Sequence, residues 1–174
     1  SQAYVLSNDA KYLAPLTKAA QYMAAPGRVA SNNNMARAQQ IMGLEAVLNI
    51  LQDANLKSQA QTTIDSAVSI LKANQRADGG WGRYTAYGSD SMVTAQVLYS
   101  LLKAGVPGDD PQIRKAIQFL LNTQSPDGSW YSQNGILSTR LAATTWVVIA
   151  LPIALERVGG IDVEAHLKLP QNVT

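Results

Sequence analysis

The chain has 174 residues, of which 47% are apolar and only 15% charged, with a formal net charge of +2 and no cysteine. That length fits one domain able to bury roughly two thirds of its unfolded surface. The missing cysteine excludes disulfides, thiolate zinc sites, haem attachment through Cys-x-x-Cys-His and a cysteine nucleophile. With no basic block longer than Arg114-Lys115, nucleic acid is not an expected partner, and with no uninterrupted apolar run near ~18 residues, neither is a membrane span.

In chain order, residues 1–8 read as an extended lead-in, with Tyr4, Val5 and Leu6 as an apolar hook. The sequence opens at Ser1, as a mature secreted or periplasmic chain or an excised fragment would, so the compartment stays open. From Asp9 to about Ala25, Leu13, Leu16, Ala20 and Met23 recur at helical spacing. Pro15 requires that this helix start near Ala14 or kink there. Asn32-Asn33-Asn34 offers an N-cap for a helix from Met35 to Gln52. A link over Asp53–Leu56 leads to a third helix, Lys57 to Asn74, striped by Ile64, Val68 and Leu71. Ser89-Asp90 caps a fourth, Ser91 to Ala104, ended by Gly105. Asp110-Pro111 restarts a fifth, lined by Ile113, Ile117, Leu120 and Leu121. The sixth, Ser138 to Arg157, is apolar almost all round and therefore expected to be buried on more than one side. Residues 159–174 read as a tail.

Two of the links repeat. Gln75-Arg76-Ala77-Asp78-Gly79-Gly80-Trp81 and Gln124-Ser125-Pro126-Asp127-Gly128-Ser129-Trp130 share the pattern Gln-x-x-Asp-Gly-x-Trp, with the tryptophans 49 residues apart. Each follows one helix and precedes another, and a period of that size means a stacked array. Asp-Gly supplies the positive φ that reverses the chain, Gln can satisfy backbone groups at a helix end, and Trp offers a ring to pack against neighbouring helices. Gln75, Asp78, Gly79, Trp81, Gln124, Asp127, Gly128 and Trp130 are thus expected to act structurally, as the adhesive between repeats. Lys18-Ala19-Ala20-Gln21-Tyr22-Met23 echoes Lys115 to Leu120 and marks a decayed first repeat whose turn has lost the Gln, the Asp-Gly and the Trp. The expected architecture is all-α: about three antiparallel helix hairpins (9–52, 57–104 and 110–157) within a repeat domain spanning 9–158.

These turns are similar to the QW motifs of the squalene-hopene and oxidosqualene cyclase family, specifically over residues 57–157 and weakly over 9–52. The resemblance implies a partial α/α toroid, the fold shared with protein prenyltransferase β subunits and complement-type thioester domains, with Ser91–Ala104 and Ser138–Arg157 as inner helices. The family's chemistry does not carry over with the fold. Its cyclases protonate a double bond from an Asp-x-Asp-Asp-Thr-Ala motif, whose clustered carboxyls keep one of them protonated. The segment here that aligns by its Thr-Ala is Asp90-Ser91-Met92-Val93-Thr94-Ala95, where Met92 and Val93 replace two of the acids and Asp90 reads as an N-cap. Prenyltransferase zinc and the thioester both need a cysteine, and the only histidine, His166, falls in the tail. A Ser-His-Asp triad has no placed histidine, and Gly79-Gly80-Trp81-Gly82 lacks the Lys-Ser/Thr of a phosphate loop.

No catalytic, cofactor or metal residue is therefore expected. Tyr84, Tyr87, Tyr99 and Tyr131 are expected to pack under the turns, with Tyr84, Tyr87, Tyr131 and Trp146 as candidates to face an apolar ligand. The low charge fraction suggests surface covered by something else, and an open half-toroid leaves apolar end helices. The reading is a non-catalytic module that contacts a protein partner or a second copy through those helices. Its rivals are a cyclase-like domain that binds or transforms an isoprenoid, and a carbohydrate- or peptide-binding surface on Trp81, Tyr84 and Tyr131.

Overall fold

The computed structural model describes residues 10–132 and 137–158, so the lead-in, the tail and His166 lie outside the described residues. One 3-10 turn and six α-helices account for the regular structure there: α1 Leu13–Ala24, α2 Asn34–Leu48, α3 Ala54–Ala73, α4 Ser91–Lys103, α5 Pro111–Asn122 and α6 Leu137–Val158. Among the described residues the only β feature is an isolated bridge between Asn33 and Tyr84.

Three helix boundaries differ from the sequence reading by more than one residue, each for a local reason. Residues Ala10–Tyr12 form the 3-10 turn and α1 begins at Leu13, which puts Pro15 in the first turn, where its missing N–H needs no partner. α2 stops at Leu48, with the Asn49 N–H turned back onto the Val47 carbonyl. α3 starts at Ala54, earlier than Lys57, because Asp53 is an N-cap whose Oδ1 accepts the N–H groups of Asn55 and Leu56. The caps expected at Asn33, Asp90 and Asp110 accept from Ala36, Val93 and Gln112.

The helices lie in two layers. α2, α4 and α6 form one row, α4 packing closely on both neighbours, while α1 and α3 pack together behind α2. α3 packs more closely on α2, which precedes it, than on α4, to which the Trp81 turn connects it. The space between α3 and α4 is taken up by the turn itself, with Trp81 fully buried. One continuous core runs through the array, from Ala20, Ile41 and Leu44 through Ile64 and Leu71 to Leu98, Leu101, Ile117, Leu120, Val147 and Ala154. Each large aliphatic side chain buried this way contributes about 1.5–3 kcal/mol.

α4 and α6 differ in what their positions leave open. From Ser91 to Leu102 only Met92 and Tyr99 of α4 escape full burial, as befits a helix with a neighbour on each side. α6 has α4 on one side only, and Leu141 (71% exposed), Thr145, Val148 (59% exposed) and Pro152 form a stripe open to solvent. The expectation that α6 is buried on more than one side therefore fails on this flank. The expectation of no membrane span rested on uninterrupted apolar runs. By mean hydropathy, which is 1.6, Thr139–Val158 is long and apolar enough to cross a membrane by length and composition alone, although here it packs along α4 as the last of the described helices.

Candidate functional site

The two Gln-Trp turns have nearly the same geometry. Gly79 and Gly128 stand at φ 89° and 82°, a region that disfavours a Cβ. A Cβ on Gly79 would also lie 2.4 Å from the Lys115 carbonyl oxygen, so the turn lies directly against α5. Each turn is closed by the Gly N–H donating to the carbonyl three residues earlier and by the Gln side-chain amide donating to the Gly carbonyl, at 2.9 Å for Gln75 and 3.0 Å for Gln124. Asp78 Oδ1 accepts from the Gly80 N–H and the Ser89 hydroxyl; Asp127 Oδ1 accepts from the N–H and hydroxyl of Ser129, and its other oxygen pairs with Arg140.

The tryptophans join the helices on either side of each turn. The indole N–H of Trp81 donates to the Leu71 carbonyl and that of Trp130 to the Leu120 carbonyl, both at 2.7 Å. Their backbone N–H groups donate to Thr94 and Thr144 hydroxyls on the following helices, both at 3.0 Å. Trp81 is 0% and Trp130 3% exposed. A fully buried Trp81 removes the stacking platform that a carbohydrate- or peptide-binding surface on Trp81, Tyr84 and Tyr131 would need. The two threonines were missed as a pair, although the helical Thr that follows each Trp by 13 or 14 residues was a readable signal.

The turns differ in what lies beyond them. Gln75 Nε2 also donates to the Gln112 carbonyl at the start of α5 (2.8 Å), and Gln112 Nε2 returns a bond to the Lys72 carbonyl at the end of α3 (2.6 Å). Lys72 Nζ completes the junction with a 2.6 Å ion pair to Asp110, the N-cap of α5. Burial alone would raise the Asp110 carboxyl, but the Lys72 bond and charge and the N–H groups of Gln112 and Ile113 outweigh it and hold it below the ordinary range. On its other side the first turn meets the loop before α2, with Asn34 Nδ2 donating to Gly82 and Asn74 Nδ2 to Ser31 and Asn34. Gln124 has only its own Gly128 carbonyl, and its Oε1 is buried without a hydrogen-bond partner among the described residues.

At the position of the cyclase acid motif, Asp90 is 7% exposed and both its oxygens are occupied. Oδ1 caps α4 by accepting the Val93 N–H at 3.0 Å, and Oδ2 accepts the Ser132 hydroxyl at 2.7 Å. Asp90, Met92 and Val93 together line a cleft of about 230 Å³ with Arg83, Tyr87 and Ser132, although Val93 itself is only 2% exposed. A larger cleft of about 480 Å³ opens on the α2–α4–α6 row, walled by Met42, Ala46, Tyr99, Trp146 and Ile149 with Glu45 and Lys103 at its edge. The Tyr99 and Trp146 rings meet edge to face at 6.3 Å there. The Glu45 carboxyl is pushed up by burial and then by the Asp65 charge.

The tyrosines depart from expectation. Tyr87 and Tyr131 are 52% and 49% exposed, not packed under the turns. Tyr84 and Tyr87 meet edge to face at 5.3 Å, and Arg140 lies 4.4 Å over the Tyr131 ring. Of the candidates to face an apolar ligand, Trp146 lines the larger cleft and Tyr87 the smaller, while Tyr84 and Tyr131 line neither. Among the described residues no group of three or more Asp, Glu or His is placed to hold a metal ion.

The array matches known proteins over most of its length. The squalene-hopene cyclase N-terminal domain matches residues 38–125 and the C-terminal domain matches residues 86–167. A probable squalene–hopene cyclase of Sinorhizobium fredii is 30% identical over 110 residues, covering 57% of this chain and 17% of that protein. The squalene–hopene cyclase of Bradyrhizobium diazoefficiens is 32% identical over 116 residues, covering 59% and 17%. A drimenyl diphosphate synthase of Streptantibioticus cattleyicolor is 33% identical over 78 residues, covering 45% and 14%. The chain thus spans about a sixth of the length of the cyclases it matches. With both family domains falling on the same Gln-Trp helical repeats, the chain belongs to the squalene-hopene cyclase family.

Proposed function

We propose that this chain is a non-catalytic QW-repeat module, a structural or interaction subunit that joins further helices of its own kind through α6 and the second turn. The observation that carries this reading is the unequal state of two otherwise matching turns. Gln75 reaches across to the first turn of α5, whereas among the described residues Gln124 bonds only the carbonyl of its own turn and keeps a buried oxygen without a partner. The exposed stripe Leu141, Thr145, Val148 and Pro152 lies on the flank of α6 that α4 leaves uncovered, whereas α4 itself has a helix on each side. Exposed apolar surface of this kind marks an interface. The acid position supports the non-catalytic part: Asp90 is spent on capping α4 and holding Ser132, and Val93 is core.

The test is native mass spectrometry with hydrogen exchange on the purified chain. Assembly is expected, together with slow amide exchange in α6, and both should be lost in Val148→Lys. A monodisperse monomer whose α6 exchanges no faster than α4 would end the reading, because α6 would then need no partner.

A second reading, a terpenoid cyclase-like domain that binds an isoprenoid, is favoured by the apolar cleft at Tyr99 and Trp146. Conversion of squalene by the chain, with loss of conversion in Asp90→Asn or Glu45→Gln, would establish it over the first.

A further inference from the structure

Behind the row of inner helices, the loop between α1 and α2 and the polar face of α3 enclose a cleft of about 520 Å³ that the repeat architecture does not require. Its walls carry two guanidinium groups, Arg28 and Arg37, and no carboxylate. Ser58, Thr62 and Ser66 recur every fourth residue, which places three hydroxyls in line along one face of α3. Arg37 and Gln40, one helical turn apart on α2, complete the lining, and each is 7% exposed.

Those two side chains are half satisfied. Arg37 Nη2 donates to the Val29 carbonyl at 2.9 Å and Gln40 Nε2 to the Met23 carbonyl at 2.7 Å, which fixes both. Arg37 Nε and Gln40 Oε1 are buried and make no hydrogen bond among the described residues. Neither Arg28 nor Arg37 belongs to a described ion pair. A buried cation with no counter-charge and a free N–H is costly unless an anion joins it. Burial already lowers the readiness of Arg37 to hold its proton. Packing alone gives no reason to place an arginine here, since the Val29 carbonyl needs only one neutral donor.

We propose that this cleft binds a small hydroxylated oxyanion. Its phosphoryl or carboxylate oxygens are held by the Arg37 and Arg28 guanidinium groups and its own hydroxyl by the Gln40 amide, the ligand displacing the packing that closes Arg37 Nε and Gln40 Oε1 off from solvent. Thr62 already donates its hydroxyl hydrogen to the Ser58 carbonyl, so it offers the ligand a lone pair, while Ser58 and Ser66 can donate. An anion with no hydroxyl leaves Gln40 Oε1 unpaired and binds less tightly. A polyol with no anion leaves Arg37 unpaired.

Isothermal titration of the intact chain with sn-glycerol 3-phosphate, D-glycerate, inorganic phosphate and glycerol tests this. Saturable binding of glycerol 3-phosphate or glycerate is expected, and the tighter of the two identifies the anionic group. Phosphate should bind several-fold more weakly than glycerol 3-phosphate, and glycerol should not bind. Arg37→Gln should abolish binding. Because that variant also removes a buried bond, Thr62→Asp is the deciding one: it places a negative charge on an exposed face of α3 without touching the core. Thr62→Asp should weaken binding about tenfold or more with an unchanged thermal midpoint. Absence of binding by both hydroxylated anions, equal binding of glycerol, or affinity indifferent to Thr62→Asp would each overturn the proposal.

Discussion

Replacing the two motif glutamines separately should reveal their different roles. Gln75→Ala removes two hydrogen bonds, to the Gly79 carbonyl at 2.9 Å and to the Gln112 carbonyl at 2.8 Å. Gln124→Ala removes one, to the Gly128 carbonyl at 3.0 Å, and takes away an oxygen that was already unpaired. At about 0.5–1.5 kcal/mol per bond, the expected losses are roughly 1–3 kcal/mol for Gln75 and 0.5–1.5 for Gln124. The lost Gln124 oxygen carries its own desolvation cost, so its deletion should fall at the low end. Urea unfolding measured as the shift in midpoint at a common slope gives both values in one buffer. A difference of about 1 kcal/mol in the stated direction is expected. Equal losses, or a larger loss at Gln124, would refute the assignment of the first turn as a joint between repeats and the second as a turn closed on itself.

Trp81→Ala and Trp130→Ala should each cost roughly 3–5 kcal/mol by thermal unfolding, because each buried ring also holds a helix-end carbonyl; an unchanged midpoint would remove the structural role. Asp110, held below the usual carboxylate range, contributes stability that is fully present above its unfolded value near about 3.9 and is lost as pH falls through the lower folded value. Asp110→Asn should accordingly flatten the acid limb of a stability–pH profile, and an acid limb as steep as in the parent would contradict it. Val93→Asp should not restore an acid cluster but unfold the chain, since it buries a charge at a position 2% exposed, and circular dichroism will show whether the helices survive. Leu141→Lys, on an open flank, should change stability by no more than about 0.5 kcal/mol in a monomer, and a larger loss would mean the flank is already covered.

The fold was legible where pattern and chemistry agreed. Apolar spacing located all six helices, and Asn33, Asp90 and Asp110 announced three starts. Asp53 was passed over because the apolar stripe of α3 becomes clear only further along, at Ile64, although the side chain of Asp53 sets the first turn. The repeat was readable from Gln, Asp, Gly and Trp, but the partners of those residues were not. Gln112, 37 residues after Gln75, carries no local signature, and only folding brings its carbonyl within reach. The tyrosines misled because proximity in sequence to a turn does not fix on which side of it a ring falls; Tyr87 and Tyr131 ended in solvent beside arginines or another ring. The cleft around Arg37 and Gln40 was invisible for a similar reason. An arginine inside an amphipathic helix reads as surface until its burial is known.

The indole bonds bear on the order in which the chain folds. Each Trp N–H closes a loop of ten residues onto the helix just completed, and each Gln amide closes one of four. Loops this short close within about 10–100 ns and carry little entropic cost. The joint at Asp110 and Gln112 spans 37 to 40 residues and must wait until α5 exists. The chain therefore writes its turns early and its joints late. Each Gln-Trp segment can thus close its Gln and indole bonds onto the helix before it, while its bonds to Thr94 or Thr144 wait for the helix after it.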